Sequence, residues 1–205
     1  PDCNGPDLIL LPERPFDEEA FLKRVAELEK ERHNVIIAVS EGVKLADGRY
    51  VCELAHNPVN VDAFGHTYLS GTAHYLASLV AAKLHSKTRA VELSTLQRCA
   101  AHVASETDVS EAFGVGAFAV DAAFSGKTGM MAALKRVSDE PYVCGFGLHD
   151  IHDIANLEKK IPLDWIDAEH YRLCEPFFAY ARPLIAEEVK PEYQKGLPRH
   201  LKLNR

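Results

Sequence analysis

Two arginines and a glutamate carry the residue chemistry of this chain. Arg89 and Arg98 bracket a polar loop within KTRAVELSTLQRCAAHVASETDVSEA, residues 87–112. A guanidinium is a planar fork that can donate two parallel hydrogen bonds, which suits the oxygens of a phosphate ester. The same arginines could pair with local carboxylates such as Glu92 or Asp108, and spacing alone leaves both readings open. Glu13 follows the apolar run DLIL and the dipeptide Leu11-Pro12. A carboxylate at the C-terminal end of a parallel strand can accept hydrogen bonds from a polyol, because ligands of open α/β sheets bind outside those strand ends. The alternative for Glu13 is a solvated loop acid.

The elements that would position these groups follow from periodicity. Asp7 to Leu11 is a continuous apolar run, as expected of a parallel strand buried on both faces. Asp17 can cap a helix running to about His33, with Glu18 and Glu19 at the positive end of its dipole and Phe21, Val25 and Leu28 as the buried stripe. Asn34 to Val39 reads as the next strand, ending in Ser40, Glu41 and Gly42, which suit a tight strand-to-loop turn. Residues 43–67 form a long insertion containing DAFGH at 62–66, whose acid and histidine are too few for a metal site. A helix from Leu69 to about His85 then feeds a strand from Thr88 to Leu93. That strand would place Arg89, Val91 and Leu93 on one face, with Arg98 projecting from the loop beyond. The alternation of strand and helix implies a parallel sheet with right-handed crossovers.

Downstream, Ser105 and Asp108 form a capping pattern for a helix to about Phe124, expected to bury Val109, Ala112, Phe113, Gly116, Val120 and Phe124. Gly114 and Gly116 cost helix stability and so imply close packing against a neighbour. Gly126 and Gly129 form a turn, Met130 to Leu134 reads as a strand and Tyr142 to Leu148 as its hairpin partner. HDIHD at 149–153 invites a metal reading, but a helix start accounts for it without a third or fourth ligand. Glu169 to Glu188 is helical in pattern, interrupted by Pro176 and Pro183.

Composition bounds the function class. With 47% hydrophobic and 26% charged residues the chain is an ordinary globular unit rather than a disordered one. A net charge of -7 disfavours nonspecific binding to nucleic acid or an anionic membrane, and no apolar run reaches transmembrane length. Cys3, Cys52, Cys99, Cys144 and Cys174 are odd in number with no close pair, which fits a reduced, cytoplasmic protein. No G-x-G-x-x-G follows any strand, so a generic dinucleotide-binding domain is a weak reading.

The stretch TRAVELSTLQRCAAHVASETDVSEA resembles the substrate loop of the 6-phosphofructokinase family, most closely its long bacterial, diphosphate-dependent branch. DLILLPERPFD, VSEG, DAFGH, AVDAAFSGKTGMM, IPLDWI and YARPLI continue the resemblance in the family's order. It implies an α/β fold, a three-layer, doubly wound, mainly parallel sheet of the phosphofructokinase type with a C-terminal helical segment. By the same resemblance the chain is similar to the C-terminal half, with 1–98 forming the core of the sugar-phosphate lobe and 99–205 crossing between lobes. The implied reaction is phosphoryl transfer to the 1-hydroxyl of fructose 6-phosphate, with diphosphate as donor and ATP as the alternative. Glu13 would orient the sugar, and Arg98 would hold the 6-phosphate. Arg89 would do the same from a neighbouring subunit, in a homodimer or homotetramer. Thr95 departs from the family's histidine or tyrosine, which puts a direct phosphate contact there in doubt. The catalytic base and the Mg²⁺-diphosphate site are expected upstream, so these residues alone are expected to be inactive. A non-catalytic sugar-phosphate-binding regulatory subunit is the alternative from another class.

Overall fold

The computed structural model describes residues 5–55 and 69–199, and the DAFGH motif at 62–66 lies outside them. The chain divides into two compact units, Pro1–Leu93 with Lys160–Glu175, and Ser94–Lys159 with Pro176–Arg205.

The first unit is built on strand β1 (Leu8–Leu10), helix α1 (Glu18–Glu31), strand β2 (Ile37–Val39) and helix α2 (Thr72–Leu84). β1 and β2 pair in parallel, Leu8 opposite Ile37 and Leu10 opposite Val39. The helical crossover between them is the expected connection. Asp17 caps α1 by accepting the N–H of Ala20 at 2.9 Å. Phe21, Val25 and Leu28 of α1 are fully buried against Leu8 and Leu10, and Leu76 and Val80 of α2 complete this core. Each such side chain contributes on the order of 1.5–3 kcal/mol by leaving water. On the other side of β1, the N–H of Ile9 donates to the carbonyl of Tyr171 at 2.8 Å, beside the short antiparallel pair Ile166–Asp167 and Arg172–Leu173.

The strand expected at Thr88–Leu93 does not form: residues 85–93 have no ladder partner among the described residues. Side-chain bonds to α2 hold this segment instead, so its backbone lies beside a helix rather than within the sheet. Parallel pairing among the described residues is confined to β1 and β2.

The second unit contains the five-residue helix α3 (Ser94–Arg98), the long helix α4 (Glu106–Phe124) and the antiparallel strands β3 (Met130–Asp139) and β4 (Tyr142–Asp150). The hairpin is longer than expected and carries a register shift between Arg136 and Ser138. Ser105 caps α4, accepting from Asp108 N–H at 3.4 Å while its hydroxyl donates to the carbonyl of Leu184 at 2.6 Å. The burial expected along α4 is not found. Phe113 is 80% exposed, Phe124 90%, Val120 53% and Val109 46%, and Ala112 and Gly116 are exposed as well. The helix is apolar on more than one side, and only the stripe Thr107, Glu111, Gly114, Val115, Phe118 and Ala122 is half-buried. That stripe runs at helical spacing.

Gly114 is small for a reason inside the chain: a methyl carbon there would lie 2.4 Å from Cζ of Phe146 on β4. The guanidinium of Arg136 stacks on the rings of Tyr142 at 4.9 Å and Tyr180 at 4.7 Å and donates to the carbonyl of Tyr180 at 2.8 Å. The C-terminal helical segment is shorter than its pattern suggested. It comprises Glu175–Ala181 and a 3₁₀ turn Arg182–Ile185, because residues 169–174 are taken up by the turn and strand around Arg172–Leu173.

Candidate functional site

Glu13 sits one turn beyond the C-terminal end of β1 and is half-buried. Its Oε1 accepts the N–H of Ile161 at 3.0 Å. Its Oε2 is buried and has no hydrogen-bond partner among the described residues. A buried acceptor left unpaired costs about 1–3 kcal/mol, so a donor brought by a ligand would be bound favourably there. The end of β2 lies alongside. Ser40 N–H donates to the carbonyl of Leu10 at 3.0 Å, and Gly42 N–H donates to the Ser40 hydroxyl at 3.3 Å. Ser40–Glu41–Gly42 is therefore a turn that closes the strand on itself, with Thr72 donating to the carbonyl of Glu41 at 3.4 Å.

Arg89 also belongs to the first unit. It is exposed and makes no side-chain hydrogen bond or ion pair with any described residue. Thr95 and Arg98 belong to the second unit, three residues apart on α3 and so on one face of that helix. Both are exposed. Arg98 closes α3 rather than projecting from a loop, and the carbonyl of Thr95 accepts the N–H of Cys99 at 3.1 Å. Ser94, which opens α3, has φ of 44°, a left-handed conformation that non-glycine residues adopt at a cost of about 1–3 kcal/mol.

The carboxylates that could have neutralised the arginines do not do so. Glu92 accepts the backbone N–H of Gly71 at 2.8 Å, and Asp108 makes no ion pair among the described residues. Neither guanidinium pairs with a carboxylate among the described residues.

Two contributors escaped residue-type reasoning. The anchor of Glu13 is a peptide N–H from a position distant in sequence, and a backbone amide leaves no signature. Glu92 was visible only as a counter-ion, because its partner is a helix N-terminus brought close by folding. Among the described residues no group of three or more His, Cys, Asp and Glu could hold a metal ion. Asp150 of the HDIHD motif caps the short helix Ile151–Ile154 through the N–H of His152 at 2.8 Å. No described helix is long and apolar enough to cross a membrane.

Comparison with known proteins adds to this geometry. The phosphofructokinase family model matches residues 3–123. The chain is 39% identical over 196 residues to the pyrophosphate–fructose 6-phosphate 1-phosphotransferase of Methylococcus capsulatus, and 39% identical over 198 residues to that of Halomonas elongata. Those alignments cover 96% and 97% of this chain but 46% of each relative, so the chain spans about half the length of the curated relatives it matches. Among solved structures, the pyrophosphate-dependent phosphofructokinase of Marinobacter aquaeolei superimposes with a TM-score of 0.77 at 31% identity, over 98% of this chain and 48% of that one. The α/β fold class expected from the sequence is that of these structures.

Proposed function

The chain belongs to the phosphofructokinase family, and from that premise we propose that it supplies the fructose 6-phosphate side of an enzyme that phosphorylates the sugar's 1-hydroxyl with diphosphate as donor. The observation that carries this reading is the Glu13 carboxylate, with one oxygen fixed by Ile161 N–H and the other buried without a donor. A sugar hydroxyl is the complementary group. It would donate to Oε2 and be fixed in orientation by the anchored Oε1.

Arg98 and Arg89 supply forked donors for the 6-phosphate, and neither is quenched by a described carboxylate. Thr95 shares the face of α3 with Arg98 and adds a short hydroxyl. Phosphoryl transfer is a reaction of positioning and charge neutralisation. These residues position the acceptor and balance its charge. Mg²⁺ would neutralise the diphosphate. No cluster among the described residues fits it.

The reading includes a homodimer or homotetramer in which Arg89 reaches a neighbouring subunit's sugar phosphate, supported by its exposure and by the uncovered apolar side of α4. It also places the protein in the cytoplasm, supported by the free thiols of Cys52, Cys99, Cys144 and Cys174.

Calorimetric titration of the purified protein with fructose 6-phosphate tests the proposal. Binding that weakens in Glu13→Gln and in Arg98→Ala is expected. Gln keeps an acceptor for Ile161 but presents an amide donor where the sugar hydroxyl needs an acceptor. No binding by the unaltered protein, or binding as tight in both variants as in the unaltered protein, would end the reading.

A further inference from the structure

The segment that carries Arg89 has no sheet ladder among the described residues, yet it is tied down at two points. Thr88 Oγ1 donates to the carbonyl of Ala77 in α2 at 2.9 Å. Glu92 Oε1 accepts the N–H of Gly71 at 2.8 Å, the residue that precedes the first turn of α2. Residues 88–92 therefore run back along α2, from its middle towards its N-terminus, with Arg89 between the two ties. Gly71 has no side chain to cap its own helix, and its φ of 94° suits glycine. Glu92, 21 residues away, accepts the N–H of Gly71 itself, and its negative charge sits favourably at the positive end of the helix dipole.

We propose that Glu92 and Thr88 are positioning residues for Arg89. They hold the otherwise unladdered segment so that the guanidinium stands ready for the sugar phosphate, and Glu92 is kept from neutralising it by its bond to Gly71. The inference rests on the phosphate role of Arg89 proposed above.

A positioning residue acts through the group it positions, so a double-mutant cycle read as fructose 6-phosphate affinity tests it. Glu92→Ala is expected to weaken binding about fivefold, the effect of one lost hydrogen bond expressed as misplacement of Arg89. Glu92→Gln, which keeps an acceptor for Gly71 N–H, should bind within about twofold of the unaltered protein. In an Arg89→Ala background, Glu92→Ala should change affinity no further. Thr88→Val cuts the other tie and should weaken binding in the same direction, which keeps the test open if Glu92→Ala does not fold.

Full affinity in both Glu92→Ala and Thr88→Val overturns the inference. So does a Glu92→Ala loss that persists without Arg89. Unchanged affinity in Arg89→Ala alone overturns the phosphate role of Arg89 itself, and the two failures are told apart by which variant shows them.

Discussion

The ring of Phe146 on β4 occupies the space that a side chain at Gly114 of α4 would need, and the same ring stacks on Phe118 with centroids 5.9 Å apart. Two effects oppose each other in Gly114→Ala. Alanine gains about 1 kcal/mol of helix propensity, while displacing Phe146 costs about 1–3 kcal/mol of packing. Net destabilisation is expected by denaturant unfolding. In a Phe146→Ala background the sign should reverse, because only the propensity gain remains. Gly116 faces open space, so Gly116→Ala should stabilise by up to about 1 kcal/mol.

Arg98 is exposed and unpaired among the described residues, so its loss should leave the fold untouched. Arg98→Ala is expected to stay within about 0.5 kcal/mol of the unaltered stability and to weaken fructose 6-phosphate binding about ten- to a hundredfold. Arg98→Lys should recover only part of the loss, since an ammonium lacks the fork. Melting temperature and titration of the same samples separate the two effects. A lower melting temperature with unchanged affinity would assign Arg98 a structural role.

Asp7 ties the start of β1 to the ends of α1 and β2. Its buried carboxylate pairs with Arg32 and accepts the N–H of Ile36 at 2.8 Å. Asp7→Ala should cost about 2 kcal/mol, because it leaves Ile36 N–H without its acceptor while Arg32, 41% exposed, can return to water. Asp7→Asn keeps one acceptor and should cost less. Chemical denaturation of both variants checks the order.

Tyr142 governs part of the alkaline response. Desolvation, then the hydrogen bond to Glu111 at 2.6 Å and the charge of that carboxylate, push its hydroxyl well above the ordinary tyrosine range. The folded chain therefore holds this proton after the unfolded chain has released it near about pH 10. The stability linked to this hydroxyl is fully present below that pH and is lost as pH rises through the folded value. Tyr142→Phe should flatten the decline of stability above about pH 10, without abolishing it. Burial raises Tyr75 and Tyr171 too, helped by the charges of Glu18 and Asp17, so part of the slope remains. An equally steep decline in the variant would remove Tyr142 from this account.

Local, periodic information in the sequence was enough to place α1 with its Asp17 cap and its Phe21, Val25 and Leu28 stripe, and to place the Ser105 cap of α4 and the β3–β4 hairpin. Those features depend on neighbours within a few residues, which the residue types themselves specify. The position of Glu13 beyond the end of β1 was also legible, because chain connectivity places it, while its contact with the sugar is part of the proposal above.

Tertiary structure alone decided the rest. Whether Thr88–Leu93 forms a strand depends on a partner strand, which β-branched composition cannot supply, and the segment bonds to α2 instead. Which side of the apolar helix α4 is covered depends on where the hairpin lies, and Phe146 selected the side of Gly114 and Phe118. The fate of Glu92, counter-ion or tether, was set by the N–H of Gly71, which donates to it. The free oxygen of Glu13 was set by the amide of Ile161, 148 residues along the chain. Backbone donors carry no side-chain identity, so only the folded chain reveals which carboxylates they occupy and which they leave for a ligand.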